Sequence, residues 1–394
     1  MTGRRFRTRG QPAAVAAISA MLDAHVPHAL LLVGPTGTGK TTLALDIAAA
    51  LLCQAEPEPR PCGECRACRA VAHGNHPDLH RLAPSGAGSI IPIGGRDERG
   101  VRDLAAELAL LPVEGGARVA IIEAAHRMTE DAQSALLKLL EEPPARTTLI
   151  LCADEEERLL PTIRSRCVRL RLGAVGRRDI EAILVEHGAA DPAGAVRPAR
   201  LAGGRPGVAL AYAAAPQAVV ARGEIARTLL DLRAASPTAR LTGVRDLAAR
   251  AGELLRELEA GARRSGDTEA GPPRAKGAAA AARSDGEAAD DQPGDVGPEA
   301  RAATRVPAAE RRAAALALVA IWRDVLRDLA AAGLGEQRLV RDPDLLEDLA
   351  AAAAAMPPPA AAAGLRRLDI AGERLEGNVS PELVLDVLAL QLAH

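Results

Sequence analysis

The sequence is short of aromatic rings. Of 394 residues only Phe6, Tyr212 and Trp322 carry one. A surface that stacks bases on a row of rings has almost nothing to be built from. Lysine is as scarce: Lys40, Lys138 and Lys276 stand among 49 basic residues, so arginine supplies the rest. With 87 alanines beside it, that excess reads as a GC-rich codon bias and carries no function. Net charge is also missing. Lys+Arg 49 against Asp+Glu 51 leaves −2, so bulk attraction to DNA or anionic lipid is excluded while a local basic patch is not. No apolar run approaches the roughly 18 residues of a membrane span. Residues 1–10 are basic but lead into no apolar segment, which argues against a secretory signal. Six cysteines in a long chain without such a signal point to the cytosol, where clustered cysteines serve metals more often than disulfides.

Apolar runs at 28–33, 118–122, 147–152 and 167–172 read as buried strands, and helical patterns at 40–52 and 129–142 alternate with them. That alternation predicts a parallel α/β sheet through residue 172. Short helices around Gly203-Gly204 follow. Beyond 220 only helices are expected, with Val244, Leu247, Ala251, Leu254 and Leu258 on one face, and Leu318, Ile321, Trp322, Val325 and Leu329 on another. Residues 262–307 hold no leucine, isoleucine or aromatic residue and cannot offset their ordering entropy, so an unstructured insert is expected there. The expected domains are 1–172, 173–220 and 221–394.

Three motifs carry chemistry. Gly34-Pro35-Thr36-Gly37-Thr38-Gly39-Lys40-Thr41 fits G-x-x-x-x-G-K-[ST], with a strand before it and a helix after. Its glycines let backbone N–H groups face phosphates, Lys40 reaches the β and γ phosphates, and Thr41, followed by Thr42, can ligate Mg²⁺. ATP or ADP with Mg²⁺ is the implied ligand. The strand that should end in a metal-binding acid ends in Glu123, and Ala124 stands where a base would polarise water. The loop could hold a nucleotide yet turn it over slowly or not at all. Cys53, Cys62, Cys65 and Cys68 give C-x8-C-x2-C-x2-C, which suits structural tetrahedral zinc better than two disulfides or a redox cluster. Cys152 and Cys167 end apolar strands and read as inert core residues. Arg166, in Ser165-Arg166-Cys167, is either a surface charge or an arginine finger. No pair of carboxylates is spaced for a two-metal polymerase or nuclease centre.

Taken in order, the P-loop, the four cysteines, Asn75-His76-Pro77-Asp78, Pro112-Val113-Glu114-Gly115, the Glu123 strand, Ser134-Ala135-Leu136-Leu137-Lys138-Leu139-Leu140-Glu141-Glu142-Pro143-Pro144 and Ser165-Arg166-Cys167 resemble the bacterial DNA polymerase III clamp-loader family over about residues 10–215. The resemblance implies an α/β fold: an AAA+ RecA-like P-loop domain with a zinc module, a small helical lid and an α-helical collar. It implies a five-subunit ring with gamma/tau and delta subunits that loads a sliding clamp onto primer–template DNA, with no membrane involved. Within the family the gamma/tau motor type looks like an Asp-Glu pair with a lid arginine. Here the pair is Glu123-Ala124 and Pro206 stands at the lid position, which is similar to the delta-prime type. The resemblance then makes Arg166 an arginine finger supplied in trans, in a cytoplasmic, replisome-associated assembly. Some delta-prime subunits have lost the P-loop; in this sequence it is intact.

Overall fold

The computed structural model describes residues 4–56, 60–85, 90–95, 98–114, 116–269, 306–354, 356, 358–377 and 379–391. Two compact units divide between Ala214 and Ala215. The expected boundary at 220 falls inside a continuous helix, Pro216–Leu232, so the division lies at that helix's start.

The first unit opens with α1 (Pro12–Asp23), β1 (Ala29–Val33), α2 (Lys40–Leu52), α3 (Arg66–Ala72), β2 (Leu79–Leu82) and α4 (Val101–Ala109). It continues with β3 (Arg118–Ile122), α5 (Glu130–Glu141), β4 (Thr147–Ala153), α6 (Pro161–Arg164) and β5 (Val168–Arg171). The strands form one sheet in the order β2-β3-β4-β1-β5, with every pairing parallel. The three inner strands are buried along their whole length. Helices cover both faces, which is why these strands read as unbroken apolar runs. The period of two still divides them. Leu30 and Leu32 pack with Ile18, Leu43 and Ile47 of α1 and α2, while Leu31 and Val33 pack with Leu104 of α4 and Leu136 of α5. Each such leucine contributes about 2 kcal/mol by leaving water. The edge strand β2 escaped the sequence reading because Leu79-His80-Arg81-Leu82 is four residues long with a polar middle.

Helix α5 shows how local signals set an element. The Thr129 hydroxyl accepts the Ala132 N–H at 3.2 Å, Glu130 and Asp131 occupy the first turn, and Pro143-Pro144 follows the end. Beyond the sheet, α7 (Arg177–Glu186), α8 (Val196–Leu201) and α9 (Pro206–Ala214) gather around Val175, Ile180, Leu184 and Ala209. Gly203 and Gly204 have φ of +58° and +88° and separate α8 from α9.

The second unit contains α10 (Pro216–Leu232), α11 (Pro237–Glu269), α12 (Ala308–Gly333), α13 (Leu346–Ala354), α14 (Pro358–Glu376) and α15 (Pro381–Gln391). The expected faces of α11 and α12 are buried, apart from a half-buried Leu258. The insert expected from 262 begins inside α11, which continues to Glu269. Residues 270–305 of that stretch lie outside the described residues. Among the described residues no helix is long and apolar enough to cross a membrane.

Candidate functional site

The phosphate-loop motif leaves the sheet at the C-terminal end of β1. The Gly34 N–H donates to the Ala153 carbonyl at 3.2 Å, and a Cβ on Gly34 would lie 2.3 Å from the Leu172 carbonyl oxygen. Only glycine permits that approach. Gly37 and Gly39 take φ of +82° and +97°, turning the loop into α2. Pro35 and Thr36 are exposed, Thr38 and Lys40 buried, and Gly37, Gly39, Thr41 and Thr42 half-buried. The motif's residues therefore form one loop and one first helical turn, as a phosphate cradle needs.

The Lys40 ammonium is fully engaged. It donates to the Gly34 and Pro35 carbonyls at 2.6 and 2.9 Å and meets Asp154 Oδ1 at 2.6 Å. The Thr36 hydroxyl donates to the other Asp154 oxygen. Burial disfavours charge on Asp154, but the hydrogen bonds from Lys40 and Thr36 outweigh it and hold the carboxyl below its usual range. The Asp154 N–H in turn donates to His126 Nδ1 at 3.2 Å. Burial pushes the His126 pKa down, so this ring stays neutral. Sequence reasoning missed Asp154. Its signal was available: it directly follows β4, the strand paired with β1.

Glu123 ends β3, where the motif reading put it. Arg81 of β2 donates to its Oε1 through Nε at 3.0 Å and Nη2 at 2.5 Å. Ala124 follows with φ +47°, a left-handed turn that brings no carboxylate. Over the loop lies the start of α9, where the Gly207 N–H donates to the Gly37 carbonyl at 3.0 Å. Pro206 is the first residue of that helix, and the Arg205 Nε donates to the Ala202 carbonyl at 2.9 Å.

Arg166 lies between α6 and β5, on the surface and apart from the contacts of Lys40. Its Nη2 pairs with Glu141 Oε1 at 2.7 Å, and Nη1 donates to the Thr162 carbonyl at 3.1 Å. The next residue, Cys167, is buried, and desolvation lifts its thiol to about 11. Cys152 is lifted to about 12 by the same cause. Neither is a thiolate near neutrality, in keeping with inert core residues.

The other four cysteines come together. Cys53 caps the end of α2, Cys65 caps the start of α3, Cys68 sits in its first turn and Cys62 lies in the loop between. Their sulfurs all lie within 4.8 Å of one another. Cys53–Cys65 and Cys62–Cys68 are each 3.9 Å apart, so no disulfide joins them. A tetrahedron of thiolates about 2.3 Å from zinc has edges of about 3.8 Å, and the set fits. Backbone N–H groups of Glu64 and Cys65 lower the Cys62 thiol, as a ligand requires.

The sheet order, together with a P-loop on the exit of β1, defines an AAA+-type α/β domain. Residues 10–175 match the family described as DNA polymerase III, delta subunit. DNA polymerase III subunit delta' of Pseudomonas aeruginosa is 46% identical over 142 residues, covering 36% of this chain and 42% of that protein. DNA polymerase III subunit gamma/tau of Mycobacterium tuberculosis is 36% identical over 183 residues, 44% of this chain and 29% of the other. The chain thus spans less than half the length of the curated relatives it matches. A gamma-subunit-related protein of Thermotoga maritima aligns over 96% of this chain and 98% of its own, at 14% identity and a TM-score of 0.37, too slight a likeness to carry a conclusion.

Proposed function

We propose that this chain is a delta-prime-type subunit of a bacterial clamp loader. It would act as the stator of a five-subunit ring with gamma/tau and delta subunits, helping to place a sliding clamp on primer–template DNA. The observation that carries the reading is the Glu123-Ala124 pair. Where a motor needs a base to activate water, the backbone makes a left-handed turn with a methyl group, and Arg81 engages the one acid present. Pro206 at the start of α9 offers no cation to a phosphate, which supports the same assignment. The domain reading that goes with it is a P-loop domain over 1–172, a lid that ends at 214 on the division described above, and a collar beyond.

In this mechanism Arg166 acts on a neighbour's nucleotide. A guanidinium placed in trans adds charge to a γ-phosphate only when two subunits pack correctly, which couples hydrolysis to assembly. Until then Glu141 and the Thr162 carbonyl hold Arg166 on the surface. The P-loop would hold ATP or ADP with Mg²⁺ as a structural ligand: the Gly34–Gly39 backbone and Lys40 bind phosphate, and Thr41 the metal. Zinc on Cys53, Cys62, Cys65 and Cys68 would cross-link a short polar loop that has little core of its own.

The test is ATP hydrolysis by the isolated chain. The stator reading expects none above background and no effect of Lys40→Ala on that background. Ordinary turnover abolished by Lys40→Ala would establish the alternative, a gamma/tau-type motor, which the similarity to the mycobacterial protein keeps as the second reading.

A further inference from the structure

Two motifs of the sequence have no part in the mechanism above: Asn75-His76-Pro77-Asp78 and Pro112-Val113-Glu114. The fold brings them together beside the four cysteines. Asp78 is 2% exposed, and its carboxylate accepts the N–H groups of Val113 at 2.7 Å and Glu114 at 3.0 Å. Arg118, also buried, donates to the Leu108 and Leu110 carbonyls. The segment held this way projects apolar side chains outward: Leu110 is 69%, Leu111 89% and Val113 74% exposed. An exposed loop of this composition would ordinarily sample many conformations. Here buried groups fix its backbone from beneath.

Glu114 ties the loop to the cysteines. Its Oε2 accepts from Gln54 Nε2 at 2.6 Å, and its Oε1 meets Arg66 Nη1 at 3.3 Å. Gln54 directly follows Cys53, and Arg66 directly follows Cys65. His76 lies beside the same carboxylate. Its Nδ1 accepts the Asp78 N–H at 3.1 Å, which leaves the ring proton on Nε2, 3.5 Å from Glu114 Oε2. Both cysteine-adjacent residues reach one carboxylate in the structure in which the four sulfurs are gathered.

We propose that the metal-loaded four-cysteine centre is a positioning device for the Leu110–Glu114 loop, with Glu114 as the link between them. Metal bound at the cysteines holds Gln54 and Arg66 in place, these hold Glu114, and Glu114 keeps its own and the Val113 N–H on Asp78. Metal loss frees the Glu114 side chain and lets an exposed apolar loop move. The inference rests on the metal reading above but not on which metal binds.

Hydrogen–deuterium exchange on the full chain tests it, with zinc bound and after chelation, comparing the peptide over Leu110–Glu114 with that over α5. Metal removal is expected to speed exchange at Val113 and Glu114 about tenfold or more while α5 is unchanged. Glu114→Ala is expected to do the same with metal content still about one per chain, and Glu114→Gln to fall between. If chelation also releases α5, the Glu114→Ala comparison decides. Unchanged loop exchange in Glu114→Ala, or in stripped protein whose α5 stays protected, overturns the proposal and leaves zinc binding intact. A stoichiometric metal other than zinc, with the loop response present, leaves the proposal standing and overturns only the zinc assignment. A chain that binds no metal overturns both.

Discussion

Asp154→Asn separates two forces on the phosphate loop. Lys40 is 8% exposed along its side chain, and its ammonium lies 2.6 Å from Asp154 Oδ1. At an effective dielectric of about 20, charges at that separation attract by about 6 kcal/mol, most of it offset by desolvation. The net of a charged hydrogen bond is smaller, on the order of 1.5–3 kcal/mol. A phosphate entering the loop must break that pair, and it must also approach the Asp154 carboxylate. Asparagine keeps the shape and removes the charge. The nucleotide-free variant should unfold more easily by about that amount, because Lys40 loses its counter-charge. Its affinity for Mg-ATP or Mg-ADP, measured by calorimetry, should rise by about 10- to 150-fold, the same energy expressed as a ratio. Unchanged affinity would mean that the Lys40–Asp154 pair does not compete with phosphate. Weaker binding would mean that Asp154 helps hold the metal–nucleotide complex, and the reasoning would be refuted.

Three further outcomes concern stability. Asp328, in the second unit, is lifted to about 7, mainly by burial; since its folded value lies above its unfolded one, it stabilises below about pH 4 and loses that contribution as pH rises toward 7. Asp328→Asn should therefore gain stability at about pH 8, up to ~4 kcal/mol, with little change at about pH 4, as denaturant titration would read. His126 shifts the other way. Its lowered value means that the unfolded chain takes up a proton first, so the first unit should lose stability as pH falls through about 6.5, and His126→Asn should flatten that loss in thermal melts. Leu151→Ala, at a fully buried position in β4, should cost about 3 kcal/mol in urea unfolding, with a lower midpoint and an unchanged slope.

What the sequence showed and what it hid have the same physical origin. The inner strands are buried on both faces, so their apolar runs could be read directly, and the residues at their exits, Gly34 and Glu123, fell where the motifs put them. Four cysteines in the pattern C-x8-C-x2-C-x2-C announce their own proximity. Local pattern carries less where a contact joins distant segments. Asp154 meets Lys40 only because β4 lies beside β1, and Asp78 meets Glu114 only because β2 pairs with β3. Periodicity within one segment says nothing of such pairings. The start of the expected insert overlaps the end of α11, because composition reports the absence of apolar residues and not the reach of a helix. Arg166 was singled out by its motif, while its partner Glu141, 25 residues away, emerged only from the fold.

The central claim is that Arg166 serves a neighbour's nucleotide and this chain turns over none of its own. The most direct measurement is DNA-stimulated ATP hydrolysis by the ring reconstituted with gamma/tau, delta and clamp, using wild-type or Arg166→Ala chain. The account predicts that the variant assembles normally while ATP turnover and clamp loading fall by about 10³-fold at the site it faces, the scale of a lost arginine finger. An assembled ring that hydrolyses ATP and loads clamps at the wild-type rate with Arg166→Ala would contradict it.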